Sequence, residues 1–332
     1  MKKTNGITTL STTKMGLSLC ALIAASVFSS CSPSKQSNNS YVTENTQNQS
    51  AIVGGELSTS EFQKEHGIVQ LIMISKSGSE SLCTGSLIEK DMVITAAHCV
   101  ADPFIANVVV VFKTDNKNLT DADIAFVKIA AVHEDFSNEE ILNAGGTYND
   151  IALLKLEKAA PANFKVARLP KKDEVIELAV NSKLTLSGYG NTNAIIRKEV
   201  INPITSRPMI ISVPSVGSGT LRQVAGINVT AITADAKEIS LDQSELKGAC
   251  HGDSGGPALL TQTDGSIILV GVTSRGTEEL GNCNVGSIYT GVMGHLDWIT
   301  EMSSQLNKVE NSNPQPTPEN PNTRTESVAA TL

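Results

Sequence analysis

From residue 52 onward, short apolar or alternating runs are separated by polar turns. Runs at 68–74, 92–95, 108–112, 124–131 and 151–156 form one set, and runs at 184–189, 209–213, 227–232, 257–260, 267–273 and 287–292 form another. Each has strand length, is rich in Val, Ile and Leu, and is bounded by Gly, Pro, Asn, Asp or Ser. The pattern therefore predicts two groups of β-strands. One segment differs: Leu296, Ile299, Met302 and Leu306 recur at helical spacing, which predicts a helix over 294–308.

The ends of the chain read differently from its body. Lys2, Lys3 and Lys14 precede an apolar stretch at 15–28 that is too short to span a bilayer as a stable helix. Residues 1–31 thus read as an export signal. Ser29-Ser30-Cys31 closes it with small residues before a cysteine, similar to a bacterial lipoprotein cleavage site. Lipid attachment at Cys31 is the expectation, and ordinary cleavage nearby, leaving a free thiol, is the alternative. Residues 32–51 are rich in Ser, Asn, Gln and Thr and bury too little to offset ordering entropy, so they read as a flexible propeptide. Residues 309–332 carry Pro, Asn, Glu and Thr without apolar periodicity and read as a disordered tail. The folded body is then 52–308.

Composition narrows the function classes. The 332 residues carry a net charge of −8, and the basic residues are scattered, so nucleic acid is not an expected partner. Of six cysteines, Cys20 and Cys31 fall in the export signal, leaving Cys83, Cys99, Cys250 and Cys283 for the body. Counting alone leaves their pairing open. Disulfides fit an exported protein, whereas zinc would call for a Cys-x-x-Cys or histidine spacing that the chain lacks. Asp115, Asp121 and Asp123 match no calcium-loop pattern and read as solvated acids. No metal and no cofactor are expected.

Residues 250–257 read Cys-His-Gly-Asp-Ser-Gly-Gly-Pro, where small residues clear space around Ser254. A serine hydroxyl is a weak nucleophile at neutral pH, so it needs a base within reach and a group that orients the base. Thr95-Ala96-Ala97-His98-Cys99 and Asn149-Asp150-Ile151-Ala152-Leu153-Leu154 supply both upstream. Alone, each motif has a plain reading as a turn, a packed histidine or a turn aspartate. Together, in the order His98, Asp150, Ser254, those readings do not hold.

Over roughly 52–306 the chain resembles the chymotrypsin/trypsin family of serine endopeptidases. The resemblance implies an all-β fold of two antiparallel six-stranded barrels with a C-terminal helix: a first barrel at about 52–165, a second at about 166–292, and catalysis in the cleft between them. It implies His98 as general base and acid, Asp150 as its orienting carboxylate, and Ser254 as nucleophile. The N–H groups of Gly252 and Ser254 become the oxyanion hole. The disulfides become Cys83–Cys99 and Cys250–Cys283. Gly248, six residues before Ser254, becomes the floor of the specificity pocket, with Ser274, Gly276 and Ser287 in its walls. With no carboxylate at 248, an uncharged, small to medium P1 residue is expected. Ile52-Val53-Gly54-Gly55 resembles the N-terminus that zymogens of the family expose, and Asp253 is the carboxylate it would pair with, after a cut following Ala51.

Some segments depart from the family. Arg275 stands where an aromatic is usual, which points either to an acidic or polar substrate residue beside P1 or to a solvent-facing arginine. Segment 191–215, with Arg197, Lys198 and Arg207, is longer than the family's loop. An exported, monomeric endopeptidase acting on protein or peptide is expected, with a membrane lipid anchor on the precursor. An inactive protease-like binding module and an esterase on the same triad are the rival functions.

Overall fold

The computed structural model describes residues 7–9, 52–137, 149–278 and 280–312. Expectations for the propeptide, for Cys31, for most of the export signal and for the tail beyond 312 lie outside those residues.

The first set of runs forms β3 (Ile68–Ser75), β5 (Met92–Thr95), β6 (Ile105–Val111), β7 (Ile124–Val132) and β8 (Ala152–Leu156). β4 (Glu80–Glu89) completes them. Pairing runs β7-β6-β3-β4-β5-β8, and β7 also pairs with β8, so six antiparallel strands close on themselves. Closure removes the exposed edges that an open sheet would present. A three-residue strand β1 (Ile7–Thr9) adds to β7 from outside.

The second set forms β9 (Lys183–Gly188), β12 (Arg222–Ile232), β14 (Pro257–Thr261), β15 (Ile267–Gly276) and β16 (Gly286–Gly291), joined by β13 (Glu238–Asp242). The order β13-β16-β15-β14-β9-β12, closed by β13 on β12, is a second six-stranded barrel, and β2 (Glu56–Leu57) extends β12. The barrel interior is apolar, with Leu184, Leu186, Val229, Ile268, Val270 and Tyr289 packed together.

The short helix α1 (Ser60–Glu65) starts at Thr59, whose hydroxyl accepts from Phe62 N at 3.1 Å as an N-cap. The C-terminal helix α2 (Leu296–Ser312) runs four residues past the expected end at 308. Although it follows the second barrel, its Ile299, Met302 and Leu306 join the core that contains the first barrel's Val93, Ile129 and Leu154. Lys155 of β8 donates to Asn307 Oδ1 at 2.7 Å, and Asn307 donates to Glu89 Oε2 at 3.0 Å.

Segment 191–215 is not an irregular loop. It carries β10 (Arg197–Ile201) and β11 (Pro208–Ser212), which pair only with each other and are mostly exposed.

Candidate active site

His98 lies in a short 3-10 turn (Ala97–Cys99) directly after β5, and Asp150 immediately precedes β8, the strand paired with β5. Strand pairing thus brings residues 52 positions apart together. Asp150 Oδ2 accepts from His98 Nδ1 at 2.8 Å, and Oδ1 accepts from His98 N at 2.9 Å. Ser274 Oγ donates to Oδ2 at 2.7 Å, so the fully buried carboxylate has three donors. Burial acts to raise the Asp150 pKa, but the His98 charge and these hydrogen bonds outweigh it and hold the pKa below the usual value. For His98, burial opposes protonation, while the Asp150 charge and hydrogen bond prevail and raise its pKa.

Ser254 comes from the second barrel, in the turn before β14. It lines one cleft together with His98, His251 and Gly252. No hydrogen bond joins Ser254 Oγ to His98 among the described residues; in unliganded sites such contacts are commonly loose and tighten on substrate. Thr84 of β4 connects the barrels. Its N–H donates to Ser254 O at 2.8 Å, its hydroxyl donates to Gly252 O at 3.0 Å, and Tyr189 N donates to that hydroxyl at 3.1 Å.

Gly252 has φ +98, which glycine alone adopts readily, and a Cβ there would lie 2.8 Å from Gly190 Cα. Asn191 N donates to His251 O at 2.8 Å. In a planar trans peptide the N–H points opposite to the C=O, so Gly252 N–H faces away from Asn191. Neither Gly252 N–H nor Ser254 N–H has an acceptor among the described residues, whereas Asp253, Gly255 and Gly256 all donate. Two free donors beside one serine can receive an oxyanion.

Beside Ser254 lies a cavity of about 110 Å³ whose lining includes Ala249, Thr273, Ser274, Gly276, Cys283 and Ser287. Three of the four residues expected there are present. Gly248 lies beneath the lining: its φ is +145, and a Cβ would fall 2.4 Å from the Gln243 carboxamide. Gln243, buried and not singled out from sequence, accepts from Ala249 N at 2.8 Å and donates to Ala249 O at 3.0 Å and Cys283 O at 3.1 Å. Its hydrophilic character gave no signal, because a glutamine between strands reads as turn material.

Arg275 fits neither expectation for it. It pairs with Glu238 through two contacts of 2.9 and 3.1 Å and is mostly buried, so its charge is already matched. Both disulfides are present, Cys83–Cys99 beside His98 and Cys250–Cys283 beside the cavity. The grouping of Cys83, His98 and Cys99 is therefore no metal site, since both sulfurs are bonded. Asp115 accepts from Lys117 N and Asp123 from Thr120, as turn acids do.

Ile52 and Asp253 are both fully buried. Ile52 packs in the second-barrel core at φ +52, a strained value for a β-branched residue. Asp253 accepts from Gly190 N at 2.7 Å and Cys250 N at 2.8 Å and has no cation partner among the described residues. Burial pushes its pKa up to about 7.

Known proteins resemble this chain over most of its length. The chain is 28% identical over 228 residues to the CLIP domain-containing serine protease B15 of Anopheles gambiae, covering 65% of this chain and 60% of that protein. It is 30% identical over 240 residues to human tissue-type plasminogen activator, covering 68% of this chain and 40% of that protein. The chain thus spans 60% and 40% of these relatives' length, less than two thirds of either. HL collagenase shares the fold, with a TM-score of 0.56 at 23% identity over 76% of this chain and 99% of the collagenase. The family model described as Trypsin matches residues 57–299, and the chain belongs to that family.

Proposed function

We propose that the protein is an exported serine endopeptidase that cleaves proteins or peptides through an acyl-enzyme. The observation that carries this is the His98–Asp150 pair held at 2.8 Å in the cleft that also contains Ser254, beside two free backbone N–H groups. His98 takes the Ser254 proton as the oxygen attacks the carbonyl carbon and then gives it to the leaving amine. Asp150 fixes the ring with its proton on Nδ1 and stabilises the imidazolium. Gly252 and Ser254 N–H receive the oxyanion. Fluorophosphonate labelling tests the reading: wild-type protein should be modified at Ser254, and Ser254→Ala and His98→Ala proteins should not. Wild-type protein that takes no label would favour the binding-module alternative. Label without cleavage of any peptide in a library would favour the esterase.

The chain is proposed to be made as a zymogen cut between Ala51 and Ile52. The buried carboxylate of Asp253 without a cation supports this, because a freed Ile52 ammonium would supply one. The torsion at Ile52 supports it too: φ involves the preceding carbonyl carbon, so cleavage abolishes the strained φ of +52. A P1 preference for small uncharged residues would let the enzyme cut itself after Ala51; a Ser254→Ala protein still processed there in a protease-deficient host would refute self-cleavage. If Cys31 carries lipid, the same cut would release the enzyme from the membrane. The precursor would then fractionate with membranes and the Ile52 form would not.

A further inference from the structure

We infer that Lys237, which directly precedes β13, and Glu238, its first residue, are positioning residues for the Asp150 carboxylate: Glu238 acts through Arg275 and Ser274, and Lys237 acts through Asn149. This rests on the endopeptidase reading above and adds to its catalytic apparatus.

Asp150 depends on two irregular stretches of backbone. Asn149, directly before it, has φ +43, a left-handed value that asparagine tolerates, and Asn149 O accepts from Ile151 N at 2.8 Å, which closes a three-residue turn around Asp150. Ser274, whose hydroxyl donates to Asp150 Oδ2 at 2.7 Å, is an extra residue in the ladder between β15 and β16, since Thr273 pairs with Tyr289 and Arg275 with Ile288. A bulge of this kind re-aims a side chain and leaves the extra residue unpaired. Turn and bulge therefore both need support from outside.

One stretch of the second barrel supports both. Arg275, next to the bulge, forms a fork with Glu238, Nη1 to Oε1 at 2.9 Å and Nη2 to Oε2 at 3.1 Å, and both side chains are mostly buried. Such a two-point contact fixes the guanidinium in plane and position. Arg275 Nη1 also donates to Ser274 Oγ at 3.5 Å, which leaves the Ser274 proton for Asp150. On the other side, Lys237 Nζ donates to Asn149 Oδ1 at 3.1 Å. Thr290, which pairs with Glu238 across β16 and β13, donates through its hydroxyl to Asp150 O at 2.9 Å.

The stretch that carries Lys237 and Glu238 is itself tied down. Asp235 Oδ1 accepts from Thr233 Oγ1 at 2.7 Å and from Lys237 N at 3.1 Å, Thr233 Oγ1 accepts from Glu238 N at 3.0 Å, and Lys237 O accepts from Gly291 N at 2.7 Å. A buried ion pair adds little net stability over apolar residues of the same volume, so what Glu238 and Arg275 contribute is geometry. Misplacing a catalytic group by about 1 Å can cost about a hundredfold in rate.

The test reads the rate at which fluorophosphonate labels Ser254, as a function of pH, because that small reagent needs no peptide subsite. Burial acts to lower the His98 pKa, and the Asp150 charge and hydrogen bond hold it up, so loosening Asp150 should move the acid limb to lower pH. Arg275→Met combined with Glu238→Gln removes one charge of each sign and nearly keeps the volume. This paired variant should label roughly ten- to a hundredfold more slowly, with the limb shifted down. Lys237→Met should show a severalfold loss and the same downward shift, although removing a cation would by itself move the limb up. Its position is half-buried, so it keeps the inference open to refutation if the paired variant does not fold. Labelling at the wild-type rate, or slower labelling with the limb in place or moved up, overturns the inference and leaves the endopeptidase intact. Wild-type protein that takes no label overturns both.

Discussion

The hydroxyl of Thr84, on the first barrel, donates to the carbonyl of Gly252, on the second, at 3.0 Å. The same side chain accepts from Tyr189 N, and the Thr84 N–H donates to Ser254 O, so the nucleophile's turn is hung from the opposite barrel. Thr84→Val keeps the shape and strands both Gly252 O and Tyr189 N. The expected cost is about 1–3 kcal/mol of stability, read by denaturant unfolding, together with a fall in kcat larger than any change in KM. Unchanged kcat would show that the Ser254 turn does not depend on this contact.

The catalytic pH profile follows from the environment of His98. Only neutral imidazole can accept the Ser254 proton, and although burial opposes protonation, the Asp150 charge and hydrogen bond outweigh it and leave the His98 pKa above its ordinary 6.5. Activity should therefore be present at high pH and fall as pH drops, with a midpoint above 6.5 in kcat/KM against pH. Asp150→Asn removes both the charge and the ring's proper partner. The rate should drop by about 10⁴-fold, and the acid limb should move to lower pH.

Asp253 gives the uncut precursor a distinctive stability curve. Its pKa rises from 3.8 to about 7 through burial. A carboxyl with a raised folded-state pKa binds more protons folded than unfolded, so the contribution is present below the unfolded value and is lost as pH rises from about 4 to 7. The loss is roughly 4 kcal/mol at 1.36 kcal/mol per pKa unit. Thermal melts of Ser254→Ala precursor should show Tm falling across this window. In protein cut before Ile52, the new ammonium offsets the carboxylate and the fall should disappear.

Gly248→Ala should be costly although the residue is not part of the cavity lining. The position needs a φ of +145, and the added Cβ would meet the Gln243 carboxamide at 2.4 Å. Overpacking of this kind costs about 1–3 kcal/mol. A lowered denaturation midpoint is expected, and Gly248→Asp should not create cleavage after Lys or Arg.

The hairpin of β10 and β11 should be dispensable for folding. In the sheet its strands pair only with each other, its strand bonds to the rest of the described residues are those of Arg197 at its base with Asn282 and Leu280, and Ile204 near its turn is 91% exposed. Limited tryptic proteolysis after Lys198, located by mass spectrometry, should leave the thermal transition in place.

Strands with plain apolar runs, such as β5 and β14, were legible from sequence almost to the residue, because each packs into a barrel interior. β4 was not, since it buries Thr84 and Ser86, whose polarity masks the strand pattern. Part of that polarity serves contact across the cleft, and no run of residues along one strand reveals a partner some 170 positions away. β13 escaped for a similar reason: Glu238 is tied to Arg275, and only Ile239 and Leu241 face the core. His98, Asp150 and Ser254 were legible because their flanking motifs are specific. Gln243 and Thr84 were not, because ordinary residue types acquire their importance from what the fold places next to them.

The C-terminal helix has a consequence beyond packing. It belongs by connectivity to one half of the molecule and by contact to the other, so it acts as a strap across the joint that holds hydroxyl and imidazole in register. Trimming it should lower turnover and the melting temperature together, since Ile299, Met302 and Leu306 are part of the buried core that they share with the first barrel. Catalytic durability is thereby vested in a segment far from any substrate.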